Sequence, residues 1–215
     1  MPQAKAKGNR IIRAFNFSIE AREGEDNKGI IEGRAIVYDK LYDNGYFVET
    51  IERGALKKTN LKDVRFLVNH NTDMIPLARS RNNNENSTMQ LIVDDEGLRV
   101  RIKLDIENNT EARNLYSAIQ RGDISGMSFM FTIRGERWED EKTDHPKRFI
   151  TDIEQVFEVS AVTFPAYEET EINARCKTEL DNYRNTLENV RNNTPDGESV
   201  DDIELLKLKN KNLLY

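Results

Sequence analysis

Two residues in this chain have the chemistry to make an activated nucleophile, Ser128 and His70. Ser128 lies in Gly122-Asp-Ile-Ser-Gly-Met-Ser-Phe-Met-Phe131, where Met127, Phe129 and Phe131 alternate with Ser128 and Met130. Successive side chains of an extended chain point to opposite faces. An apolar face of Met127, Phe129 and Phe131 therefore turns Ser128 the other way, on a rigid strand. A serine hydroxyl is a weak nucleophile without a base. The chain has two histidines, His70 and His145, and an imidazole is suited to take a serine proton near neutral pH. His70 closes an expected strand over 64–69 and opens a loop, where folds tend to display working side chains. Plainer readings stand beside these: Ser128 as a polar residue on the outside of a half-buried strand, and His70 bonded to nearby backbone.

The elements that must position this pair follow from periodicity and turn chemistry. Residues 11–21 alternate, with Phe15, Phe17 and Ile19 on one face, and predict one strand. A polar turn at 24–29 leads to a partner strand over 30–38, in which Gly33 suggests a bulge or a close backbone approach. A short strand is expected at 46–51 and a brief helix at 52–58. Strands over 88–94 and 98–104 flank Asp94-Asp-Glu-Gly97, a hairpin signal. Ala112, Leu115, Tyr116 and Ile119 recur at helical spacing, with Asn108 or Asn109 as cap and Gly122 as stop. A long strand over 125–137, a charged loop over 139–147 holding His145, and an extended run over 148–163 broken in its middle complete the domain.

Composition narrows the function classes. With 215 residues, 37% of them hydrophobic and 33% charged, the chain can bury one substantial core. It has no apolar run near the roughly 18 residues of a membrane span. The single cysteine, Cys176, excludes an intramolecular disulfide framework and suits a reducing compartment. A net charge of −6 argues against non-specific nucleic-acid binding. Two distant histidines and one cysteine make no metal-ligand set, and Gly122 and Gly126 lack the lysine and helix of a phosphate loop. No cofactor is expected.

Three blocks taken together resemble the tailed-bacteriophage prohead (capsid maturation) serine proteases, over about residues 15–175. Phe66-Leu-Val-Asn-His70 with Pro76-Leu-Ala-Arg79 is similar to their histidine motif, and the segment around Ser128 to their serine motif. Phe157-Glu-Val-Ser-Ala-Val-Thr-Phe-Pro-Ala-Tyr167 is similar to their third block. Met130 departs from the pattern, standing where a small residue is expected between the aromatics. The resemblance implies an α+β fold like that of the herpesvirus assemblins, a β-rich barrel-like core with packed helices. It implies a serine endopeptidase with Ser128 as nucleophile, His70 as base and Glu158 as the acid that orients the imidazole. His145 is the alternative third member, since the assemblins use a second histidine, and Glu154 and Asp152 remain open. Arg79 is a conceivable charged helper, and its plainer reading is a surface arginine. The backbone near Ser128 or around 162–163 is the expected source of oxyanion donors.

The implied partners are the major capsid protein and the scaffold protein, the implied place is the assembling prohead in the host cytoplasm, and autoproteolysis is implied too. Residues 1–9 read as a loose tail, 10–170 as the protease domain, and 171–215 as a polar helical tail. Leucines at 205, 206, 208, 213 and 214 give that tail an apolar stripe suited to packing on its own domain or on a second copy, so a homo-oligomer is expected. Autocleavage is expected somewhere in 171–200. The competing reading is a catalytically inactive, protease-like assembly protein acting through its helical tail.

Overall fold

The computed structural model describes residues 10–15, 19–23, 29–163 and 170–192. The expected loose segment 1–9, the turn at 24–28, the end of the third motif at 164–167 and the leucine-striped segment 201–214 lie outside them. The described chain is β-rich, with two helices. Seven strands form one sheet: β1 (Ile11–Phe15), β10 (Gly126–Glu139), β11 (Lys147–Val162), β5 (Val48–Ile51) and β4 (Tyr42–Asp43) in that order, with β6 (Asp63–Val68) on β11 and β7 (Ala78–Arg81) on β6. Four strands form the other, in the order β2 (Ile19–Glu23), β3 (Gly29–Val37), β9 (Gly97–Leu104) and β8 (Met89–Asp94). Both sheets contribute to one core, Phe66, Phe129, Phe131 and Val159 from the first and Ile31, Ile36, Leu98 and Ile102 from the second.

The helix α1 (Thr110–Gln120) adds Ala112, Leu115, Tyr116 and Ile119 to this core, the residues its 3.6 spacing singled out. Asn109 caps it, its side chain accepting the Ala112 N–H at 3.1 Å, and Gly122 leaves it at φ +79. The hairpin between β8 and β9 turns as its Asp-Asp-Glu-Gly sequence requires. Asp94 Oδ1 accepts the N–H groups of Glu96 and Gly97. A Cβ on Gly97 would lie 1.9 Å from the Ile36 carbonyl oxygen, so only glycine fits.

Three expected elements come out differently. Residues 11–21 are two strands, not one: β1 pairs with β10 in the first sheet and β2 with β3 in the second. Period-2 alternation records which side of a strand is buried and is silent about which sheet supplies the partner. The helix expected at 52–58 is a series of turns. Gly54, at φ +94, breaks the helical path, and Ala55 and Lys57 donate to carbonyls three residues back. The run over 148–163 is one strand, continuous through several register irregularities, that pairs in parallel with β5 at its start and β6 at its end. The irregularity expected from Gly33 falls between Arg34 and Ile36.

A buried ion network ties the first sheet to the helix α2 (Thr170–Asn192). Arg13 contacts Glu49 at 2.5 Å and Glu179 of α2 at 2.9 Å, while Arg148 contacts Glu49, Glu136 and Glu179. Burial alone would push the Glu49 carboxyl up, but Arg13 and Arg148 outweigh it and hold it below the ordinary range. Beside this network Tyr183 of α2 stacks on Trp138, with ring centroids 4.6 Å apart, and Trp138 meets the edge of Phe47. Leu180 completes this small second cluster.

Glu49→Gln should cost about 3–5 kcal/mol in denaturant unfolding, since it removes the fully buried anion between Arg13 and Arg148 and leaves the two buried cations with Glu179 as their shared carboxylate. A second expectation concerns pH. The Arg34 fork holds the Asp94 carboxyl down to about 2 from an ordinary 3.8. The folded value lies below the unfolded one, so the stabilisation is present above pH 3.8 and is lost as pH falls towards 2. Urea midpoints of wild type and Asp94→Asn should therefore differ at neutral pH and converge over that window.

Candidate active site

Three neighbouring strands bring the candidate residues together. On β10, Met127, Phe129 and Phe131 enter the core and Ser128 lies on the opposite face, as the alternation requires. Ser128 is nevertheless fully buried, not half-exposed. Its partner across the antiparallel ladder is Ser160 of β11, and Met130 is opposite Glu158. Directly opposed residues share a face with Cβ atoms about 4.5–5.5 Å apart, so Ser128, Met130, Glu158 and Ser160 form one patch. On the far side of β11, β6 runs parallel with Leu67 opposite Ser160, and three residues further on the chain reaches His70.

The turn that presents His70 is strained and pinned. Asn69 and His70 occupy left-handed backbone at φ +49 and +56, a conformation that costs most residues roughly 1–2 kcal/mol and that asparagine and histidine visit more readily. The Asn69 side chain fastens the turn to the end of β11. Its Oδ1 accepts the Thr163 N–H at 2.9 Å and its Nδ2 donates to the Thr163 hydroxyl at 3.0 Å. The His70 N–H donates to Ser160 Oγ at 3.1 Å.

The imidazole then meets the patch. His70 Nδ1 lies 2.5 Å from Glu158 Oε1, and Ser160 donates its hydroxyl to Glu158 Oε2 at 2.6 Å. A carboxylate accepts, which assigns the ring hydrogen to Nδ1 and leaves Nε2 with the lone pair. That Nε2 is buried and has no hydrogen-bond partner among the described residues. The Ser128 hydroxyl donates to the Arg13 carbonyl of β1 at 2.9 Å. The site therefore holds a buried hydroxyl, an imidazole with one unpartnered basic nitrogen, and a carboxylate on the other nitrogen. This set can perform nucleophilic acyl transfer with proton shuttling.

Other expectations resolve by geometry. His145 is not beside His70; it is 41% exposed and its Nε2 lies 3.1 Å from Asp43. Asp152 pairs with Arg134, and Glu154 is exposed. Arg79 grips Asp63 through two bonds of 2.7 and 2.9 Å on the surface, which is its plainer reading. The Thr163 N–H, one of the expected oxyanion donors, is already held by Asn69. A cleft of about 500 Å³ beside Val68, Met74 and Leu115 opens on the core side of β6, behind the patch. Among the described residues no cluster of ligating side chains could hold a metal, and no helix is long and apolar enough to cross a membrane.

Asn69 and Ser160 were not singled out from sequence. Their partners lie 94 and 90 residues away, so the only local signal was the Glu158-Val-Ser160 spacing, which puts both polar side chains on one strand face.

A serine, a histidine and a buried carboxylate around one patch of a β-sheet are the residue types that a serine peptidase uses. A model of the caudovirus prohead serine protease family matches residues 15–186. The chain belongs to that family, and it is a serine protease of capsid maturation. Among solved structures it is similar to the bacteriophage T4 capsid assembly protease gp21, at 14% identity and a TM-score of 0.47, over 74% of this chain and 100% of that chain. No curated protein matches.

Asn69→Ala should lower stability by about 1–2 kcal/mol, from left-handed strain and the lost bonds to Thr163. Asn69→Gly should recover the backbone part alone, and thermal unfolding of the two variants separates the contributions.

Proposed function

We propose that this protease cleaves the scaffold protein, or the scaffold segment of the major capsid protein, inside the immature shell, and also cleaves itself. In this reading Ser128 is the nucleophile, His70 the general base and Glu158 the group that orients the imidazole. The observation that carries the assignment is the His70 ring, held through Nδ1 by a buried carboxylate with Nε2 buried and unpartnered. An unsatisfied buried nitrogen costs about 1–3 kcal/mol, and a serine hydroxyl is the donor that would satisfy it. The resemblance to the assemblins, with a barrel-like core, belongs to the same reading.

The chemistry follows from the roles. Ser128 Oγ turns from the Arg13 carbonyl, gives its proton to His70 Nε2 and bonds to the scissile carbonyl carbon. Glu158 stabilises the imidazolium that forms. Backbone amides receive the charge on the carbonyl oxygen. His70 then protonates the departing amine, the C–N bond breaks, and an acyl group remains on Ser128. Water, deprotonated by His70, attacks that ester and restores the serine as the new carboxyl group leaves.

Co-expression with the cognate capsid and scaffold proteins, read by intact mass, tests the proposal. Wild type should trim one or both, and Ser128→Ala should trim neither. His70→Ala and Glu158→Gln should each slow trimming by roughly 10³- to 10⁴-fold. Equal trimming by wild type and Ser128→Ala would leave the inactive assembly protein as the better reading. Self-cleavage should appear as loss of mass from 171–200. Over Thr170–Asn192 it requires α2 to unwind, because a peptidase takes extended backbone. A single intact mass after long incubation of active enzyme would count against it.

A further inference from the structure

We propose that Ser160 is a positioning residue of this site, holding the ring and the backbone of His70 in place together. The inference rests on the roles of His70 and Glu158 given above. A serine hydroxyl has one hydrogen to give and two lone pairs. Ser160 gives its hydrogen to Glu158 Oε2 at 2.6 Å and accepts the His70 N–H at 3.1 Å. Glu158 Oε1 in turn meets His70 Nδ1 at 2.5 Å. The three contacts close a ring: His70 backbone to Ser160, Ser160 to Glu158, Glu158 to the His70 imidazole. One residue is thus gripped at both ends.

Each member supplies what another lacks. His70 sits at φ +56, a strained conformation that persists only where its surroundings hold it, and Ser160 takes the N–H that this turn directs at β11. Glu158 is buried, so Oε2 without Ser160 would be a buried acceptor with a lost partner, and the carboxylate would be free to rotate off Nδ1. Ser160 itself cannot drift. It is fully buried and its strand is paired on both sides, with Ser128 on β10 and Leu67 on β6. The ordinary alternative is a serine that satisfies buried polar groups and contributes stability alone. A displacement of about 1 Å in a catalytic constellation can cost about 100-fold in rate, so the two readings differ measurably.

The test is the rate at which a fluorophosphonate probe labels Ser128 in the purified full chain, with the low-field NMR signal of the His70 Nδ1 hydrogen as a second readout. Ser160→Ala should label roughly 10- to 100-fold more slowly and lose or shift that signal, and Ser160→Thr, which keeps the hydroxyl, should recover most of both. Ser80→Ala, at a buried serine of β7 whose Oγ has no partner among the described residues, should label like wild type. Ser160→Cys, close in volume with a far weaker donor, gives the same reading if the alanine variant does not fold. Wild-type labelling rates and an unchanged imidazole signal in Ser160→Ala or Ser160→Cys would overturn the proposal. Absence of Ser128-dependent labelling in wild type is a separate result: it would remove the peptidase assignment of Ser128 and this inference with it.

Discussion

The register of β10 on β11 is the constraint from which the site follows. Ser128 opposite Ser160, and Met130 opposite Glu158, put the hydroxyl and the carboxylate on one face. A slip of one residue would send Ser128 into the core and Phe129 and Phe131 out of it. The register is held by that same pair of rings, fully buried with centroids 4.8 Å apart, and by β1 pairing along the other edge of β10 from Ile11 to Phe15. The ladder becomes irregular between Met130 and Phe131, immediately beyond the site. Such bulges pin register and occur beside functional residues. Here they separate the short segment that carries Ser128 from the long arm of the hairpin beyond it, which carries Trp138 and Arg148.

The third strand enters by a longer route. β6 lies parallel to β11, and a parallel partner requires a crossover. Between β6 and β11 the chain builds β7, two of the four strands of the second sheet (β8 and β9), α1 and β10. The elements that close the core are thus the same ones that carry the chain from the histidine to the serine and then to the carboxylate. His70 and Glu158 are 88 residues apart and still meet at 2.5 Å, a contact that exists only in the completed fold.

What could be read from the sequence divides along this line. Local patterns were legible: the alternation around Ser128, the Asn109 cap, the Asp94–Gly97 turn and the core face of α1 each depend on neighbours within a few residues. The helix expected at 52–58 failed because one glycine takes positive φ, which composition does not announce. The strand at 11–21 was legible as strand and not as two, because sheet membership is decided by distant partners. Glu158 stood out only through the third motif. Ser160 and Asn69 were in plain view within the quoted motifs, but what marks them out are bonds to residues 90 and 94 positions away. Arg79 shows the converse: a motif arginine whose tertiary partner, Asp63, draws it to the surface.

If Ser128 is the nucleophile, as proposed above, one further physical question arises, because its single hydrogen is given to the Arg13 carbonyl. Either β1 must move or the hydroxyl must turn. Arg13 is held by Glu49 through two hydrogen bonds and by Glu179 from α2, in a network whose Arg13, Glu49 and Arg148 are buried. Displacing β1 would disturb buried charges, at about 3–5 kcal/mol for a broken pair. Turning χ1 of serine moves between staggered wells and exchanges one neutral hydrogen bond, worth about 0.5–1.5 kcal/mol net, for another to an unpartnered nitrogen. The smaller motion wins on these magnitudes. On the proposed assignment, the ion network would act on the chemistry indirectly, by keeping the β1 carbonyl fixed so that the hydroxyl, and not the sheet, is the part that moves.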